Sequence, residues 1–196
     1  MPDRDEIFRS LTGAWWLFLD RQGAMRHFTL TVDGFWRSFA AIVFVLPAYA
    51  LAALAERQGL LTDATAAAGF SDAAFFLDKA VAIGLDWVSL PILLALLARP
   101  LGFSAAYPAF IVARNWSAVL AVLPFGLLAF LQIVGVLDGD MASFLSLAAL
   151  IVVLRYNFLV ARRALDCSIG FAVGIVVLDF VLSLALATAV DVLFGF

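Results

Sequence analysis

Two carboxylates lie where a helix in lipid tolerates charge only for a reason: Asp86 and Asp179 each sit about halfway along an apolar run. A charge at the centre of a membrane helix costs at least about 2.5–3.5 kcal/mol, so it persists only with a compensating role. At a rise of about 1.5 Å per residue, both acids fall about 15–17 Å into their spans. Asp86 shares a helix face with Ala82 and Ser89, and Asp179 shares one with Ala172 and Ser183. Such small and polar stripes belong in a bundle interior. Arg155 is the expected partner of Asp179, because the spans that carry them are joined only by residues 162–168. Arg114, Asn115, Ser117 and Asn157 can complete the same intramembrane network. Two chemistries suit it: a structural ion pair or hydrogen-bonded network that fixes helix register, or a pathway for a proton or ion.

Other chemistries find no residues. Paired membrane aspartates also activate water in intramembrane aspartyl proteases and lipoprotein signal peptidases. Here Gly84-Leu85-Asp86-Trp87 lacks a second glycine before the acid, and Val177-Leu178-Asp179-Phe180 has no asparagine-rich counterpart. The single cysteine, Cys167, cannot form an internal disulfide, and the single histidine, His27, cannot supply a two-histidine haem site. No G-x-x-x-x-G-K, C-x-x-C or G-x-S-x-G pattern occurs. No catalytic, cofactor-binding or metal-ligating residue is therefore expected, and a net charge of −3 gives no footprint for nucleic acid.

The elements that must position these residues are membrane helices. The chain is 65% hydrophobic and 14% charged, with a mean hydropathy of +1.08, whereas soluble domains are about 45–50% apolar and about 25% charged. The expected fold is an all-α bundle with spans at residues 38–55, 75–98, 116–136, 142–161 and 169–190. Pro108, Arg114 and Asn115 interrupt the stretch before the third span, so residues 102–113 read as an interfacial or re-entrant lead-in and Trp116 as the start of the helix. Positive charge sets the orientation. Ten of the twelve Lys and Arg residues fall in the N-terminal segment, the second-to-third connection and the end of the fourth span with its following loop. Only Arg57 and Lys79 fall on the other side, beside Glu56, Asp63, Asp72, Asp138 and Asp140. The N-terminus is therefore expected in the cytoplasm and the C-terminus, Phe196, outside. The arginine- and alanine-rich composition suggests a bacterial inner membrane. The acidic first residues and the lack of a cleavage site predict a retained N-terminus.

Residues 1–34 form a separate N-terminal segment, and residues 35–196 the bundle. In that segment Ile7, Phe8, Leu11, Trp15 and Phe18 fall at helical spacing, predicting an amphipathic helix. It either lies in the membrane interface, anchored by Trp15, Trp16 and Phe18, or docks on the bundle. Gly170 and Gly174 form a G-x-x-x-G that permits close helix packing, within the chain or between copies. Residues 41–54 and 118–131 align without gaps and share Leu46-Pro47 and Leu123-Pro124. This reads as a common proline kink, with a duplicated transporter half as the alternative.

The layout resembles the Yip-type five-span membrane proteins and their bacterial relatives. The resemblance rests on Asp33-Gly34-Phe35-Trp36-Arg37-Ser38-Phe39 before the first span, Ala113-Arg114-Asn115-Trp116-Ser117 at the third, and Arg155-Tyr156-Asn157-Phe158 leaving the fourth. It implies a membrane-organising or adaptor role without catalysis; the long cytosolic N-terminal region of the eukaryotic members has no counterpart here. The expectation is a non-enzymatic protein embedded in the lipid bilayer. It would act as an accessory subunit or scaffold through helix–helix contacts with a membrane-protein partner or in a homo-oligomer. The alternative is a small proton- or ion-coupled carrier or channel using Asp86 and Asp179.

Overall fold

The computed structural model describes residues 2–62 and 70–195; Asp63 and Phe196 lie outside the described residues. The first helix, α1 (Arg4–Phe18), is capped by Asp3, whose carboxylate accepts the Glu6 N–H. A 3₁₀ turn (Ala24–His27) leads to α2 (Val32–Ser38), capped by Thr31. A second short 3₁₀ segment (Phe39–Ala41) joins α2 to α3 (Ile42–Thr62). There follow α4 (Asp72–Leu97), α5 (Tyr107–Ala121), α6 (Leu123–Ile133), α7 (Gly139–Leu165) and α8 (Ile169–Phe194). Ser71, Asp138 and Ser168 cap α4, α7 and α8, each side-chain oxygen accepting one of the orphan N–H groups of the first turn. Gly195 ends α8 in the left-handed conformation. Among the described residues there is no strand.

Among the described residues, five helical segments are long and apolar enough to cross a membrane: Val32–Thr62, Asp72–Leu97, Tyr107–Ile133, Gly139–Leu165 and Ile169–Phe194. The third differs from the sequence expectation. It starts at Tyr107 rather than Trp116, and residues 107–113 belong to the span. Pro108 sits in the first turn, where its missing N–H costs nothing. Arg114 and Asn115 are tolerated inside the helix because each faces a partner on another helix. This span kinks instead at Val122, where α5 gives way to α6 with Val122 still in the right-handed helical region. Pro124 offers no N–H to the Leu120 carbonyl, and its ring crowds that oxygen.

The spans alternate in direction, so α1, the start of α3 and the end of α7 share one end of the bundle. We call this end proximal, and the end of α3, the start of α4 and the end of α8 distal. The pairs α3–α6, α4–α8 and α5–α7 pack side by side, and α1 crosses α5 and α7. Alanines such as Ala41, Ala113, Ala161 and Ala172 are fully buried among larger side chains. Small residues let helix backbones approach where lipid provides no hydrophobic drive between helices. The outward faces carry Leu96, Phe144, Ile151, Val177 and Leu184, all exposed.

The N-terminal helix buries a face of Glu6, Ser10, Gly13, Ala14 and Leu17 against the bundle. The Glu6 carboxylate pairs with Arg37 at 3.0 Å, and the Tyr156 hydroxyl donates to the Ala14 carbonyl at 2.8 Å. Phe8, Trp15 and Leu19 form an exposed apolar stripe on another face. Phe18 is half-buried and meets Tyr156 edge-on, while Trp16 meets the His27 ring.

A polar cavity between the spans

Halfway along the bundle, α3, α4, α5, α6, α7 and α8 surround a cavity of about 420 Å³. Its polar lining is Asp86, Arg114, Asn157, Asp179 and Ser183, with Tyr49 and Trp87 beside them. Four of the seven residues assigned to the intramembrane network thus meet at one place. Helix period explains the convergence. On α8, Asp179, Ser183, Ala187 and Asp191 follow at four-residue steps; on α4, Asp78, Ala82 and Asp86 do the same. The two stripes lie on the paired faces of α4 and α8.

Three polar contacts run along this seam. At the proximal side, Arg114 donates through Nη2 to Asp179 Oδ1 at 3.2 Å. In the middle, the Ser183 hydroxyl donates to Asp86 Oδ1 at 2.5 Å. At the distal side, the Lys79 ammonium lies 2.9 Å from Glu56, 3.1 Å from Asp78 and 3.2 Å from Asp191, joining α3, α4 and α8. The Tyr49 hydroxyl donates to the Lys79 carbonyl at 3.1 Å. Because Tyr49 also lines the cavity, it links the distal cluster to the cavity wall.

The charges do not balance. Arg114 neutralises Asp179, but no cation lies within ion-pair distance of Asp86 among the described residues. Arg114 Nη1 and the Trp87 indole N–H are buried without a partner. Asp78 is fully buried; its Oδ1 accepts no hydrogen bond, and Lys79 is its counter-ion.

Three sequence assignments are corrected. Arg155 is not the partner of Asp179: it is exposed on α7, and Nη1 reaches only the Phe18 carbonyl, at 3.5 Å. Residues advance about 100° each around a helix, so Asn157, which faces the cavity, and Arg155 point nearly opposite ways. Asn115 also lies outside the cavity. It is buried under α2 and donates to the Ser38 hydroxyl at 3.0 Å. Nor do Gly170 and Gly174 mediate packing within the chain, for a Cβ at either would meet nothing within 4 Å. The close approach is made by Gly126, where a Cβ would lie 2.6 Å from Ala48 Cβ.

The sequence reading missed Lys79, Asp78 and Asp191, counting Lys79 among loop charges. The four-residue steps from Asp179 to Asp191 were the available signal. Cys167 lies between α7 and α8, where burial pushes its thiol up and works against nucleophilic use. No group of three or more His, Cys, Asp or Glu residues is arranged to hold a metal ion among the described residues. No protein family, curated protein or solved structure matches the chain.

Proposed function

We propose that the protein is a non-enzymatic integral membrane protein that passes a proton or a small monovalent cation through the cavity lined by Asp86 and Asp179. One observation carries this reading. Asp86 is a carboxylate on a cavity of about 420 Å³, with a serine hydroxyl as its partner and no counter-cation among the described residues. In a membrane interior such a group either holds a proton or is accompanied by a cation. Exchange between these states is the elementary step of a proton or cation pathway. The proline kink at Val122 adjoins the site, because Val122 and Phe125 line the cavity. The Lys79 cluster then lies on the distal route to the cavity. By the positive-inside rule the proximal end faces the cytoplasm and the distal end the periplasm of a bacterial inner membrane.

The test is reconstitution into liposomes containing a pH-sensitive dye under an imposed cation or pH gradient. The intact protein is expected to accelerate dye response, and Asp86→Asn, which keeps shape and loses charge, to reduce it at least about tenfold with unchanged thermal stability. Equal flux through the Asn variant would refute the reading.

A second reading, an accessory subunit or scaffold acting through helix–helix contacts, is favoured by the outward face of α8. That helix is the least buried of the five spans, and Gly170 and Gly174 open onto its free surface. Copurification of a stoichiometric membrane partner, or a stable homo-oligomer, together with no flux would support this alternative.

A further inference from the structure

A second, larger hollow has a different character. A groove of about 760 Å³ lies on another face of α3 and α6, between them and α7, and its lining is almost wholly apolar. Leu51, Leu127, Phe130 and Val152 line its length, and Trp15 and Phe18 of α1 stand at its proximal end. Leu127, Phe130 and Val152 are also exposed, so the groove opens on the outward surface of helices that are apolar enough to sit in lipid. The Tyr156 hydroxyl in its wall is already committed to the Ala14 carbonyl. An occupant must therefore be apolar along most of its length.

At the Phe18 end stands Arg155. It lies three residues beyond Val152 and one before Tyr156, both of which line the groove. The residue is exposed, its one polar contact is the Phe18 carbonyl at 3.5 Å, and no carboxylate lies within ion-pair distance of it among the described residues. A guanidinium on the outward surface of a membrane helix is stable when it meets an anion or snorkels to the interface. Its planar fork matches phosphate oxygens in particular.

We propose that this groove binds an anionic phospholipid, with one acyl chain along Leu51, Leu127 and Phe130 and the phosphate on Arg155. The long apolar trough and the unpaired guanidinium of Arg155 at its end fit one molecule with one hydrocarbon tail in place and one anionic head. Trp15 and Phe18 hold the headgroup end, which gives the exposed aromatic face of α1 a partner. The assignment is independent of the polar cavity, which lies on the other faces of α3 and α6.

The test is native mass spectrometry of the full-length protein in mild detergent, delipidated and then incubated with phosphatidylglycerol or phosphatidylcholine. The intact protein is expected to retain one phosphatidylglycerol and to bind phosphatidylcholine about tenfold more weakly. Arg155→Gln should lose about tenfold in phosphatidylglycerol binding, and Arg155→Lys should recover part of it. Val152→Trp, which fills the groove from an exposed position, should weaken both lipids. Equal retention of the two lipids by the intact protein would overturn the proposal. So would unchanged phosphatidylglycerol binding in either Arg155→Gln or Val152→Trp, the second variant serving if the first does not fold.

Discussion

A guanidinium inside a helical bundle is stable where its rotation about the helix axis brings it to an acceptor. Arg114 and Arg155 are both in spans, yet only Arg114 reaches a carboxylate, at 3.2 Å. Its side chain and that of Asp179 are 14% and 20% exposed, so removing one partner strands a largely desolvated charge. We expect Arg114→Gln or Asp179→Asn alone to destabilise the protein by about 3 kcal/mol, at the low end for a buried pair because neither group is fully shielded. The double variant should be more stable than the sum of the single losses predicts. Arg155→Gln should leave stability in detergent within about 0.5 kcal/mol, as for other exposed sites. Thermal unfolding of the four variants checks this; a strong loss at Arg155 with additive behaviour at Arg114 and Asp179 would contradict the pairing. The same residues mark where the sequence was legible. Hydropathy located Asp86, Asp179 and Arg155 along the helices, since each stands out in an apolar run, but it put Arg114 ahead of the third span. It could not choose between Arg114 and Arg155, because that choice depends on helix rotation, and rotation is set by packing against neighbours.

Among the elements, α3 and α6 show how rotation and distance are set. They run in the same direction, each carries a Leu-Pro pair, and they meet where Gly126 faces Ala48. The sequence similarity of residues 41–54 and 118–131 thus falls on two helices that pack together. A methyl group at Gly126 would lie 2.6 Å from Ala48 Cβ and 3.0 Å from its Cα, so the helices must separate to admit it. We expect Gly126→Ala to cost about 1–3 kcal/mol, the range for overpacking a close contact. Gly174→Ala meets nothing and gains up to about 1 kcal/mol of helix propensity, so it should be neutral or stabilising. Melting temperatures of the two variants decide the matter; a larger loss at Gly174 would mean that α8 is covered by a second copy or partner in the detergent-solubilised protein. In the sequence, Gly170-x-x-x-Gly174 was the more conspicuous motif. It does not mark packing within the chain, because spacing reports that a smooth helix face exists, and burial alone reports that it is used. Hydropathy likewise located five apolar helices, whereas the start of the third span was obscured by Pro108 and the polar pair Arg114-Asn115 after it. Those residues look like breakers until their partners Asp179 and Ser38 are in place.

At the scale of the whole molecule, the two ends of the bundle differ in charge. Arg21, Arg26, Arg37, Arg99, Arg162 and Arg163 lie at or near the proximal end, whereas Arg57 and Lys79 are the basic residues toward the distal end among the described residues. Both distal cations are engaged by carboxylates, Arg57 by Asp72 and Lys79 by Glu56, Asp78 and Asp191. Orientation follows short-loop Lys and Arg rather than net charge, so the imbalance predicts proximal loops in the cytoplasm. A reporter active only in the periplasm should be active when fused after Thr62 or Gly139 and silent after Gly102 or Cys167. The four fusions sample successive loops, so a correct topology gives strict alternation, and a re-entrant rather than spanning third segment would break the pattern at Gly139. The direction bears on mechanism as well. In the proposed pathway, with the distal end in the periplasm, a proton arriving from that side would meet the Lys79 cluster before Tyr49 and Asp86. With the opposite orientation it would first meet the proximal wall, where Phe110, Val160 and Ile175 close around Asn157 and Asp179. Activity after Gly102 and silence after Thr62 would invert the bundle and reverse that route.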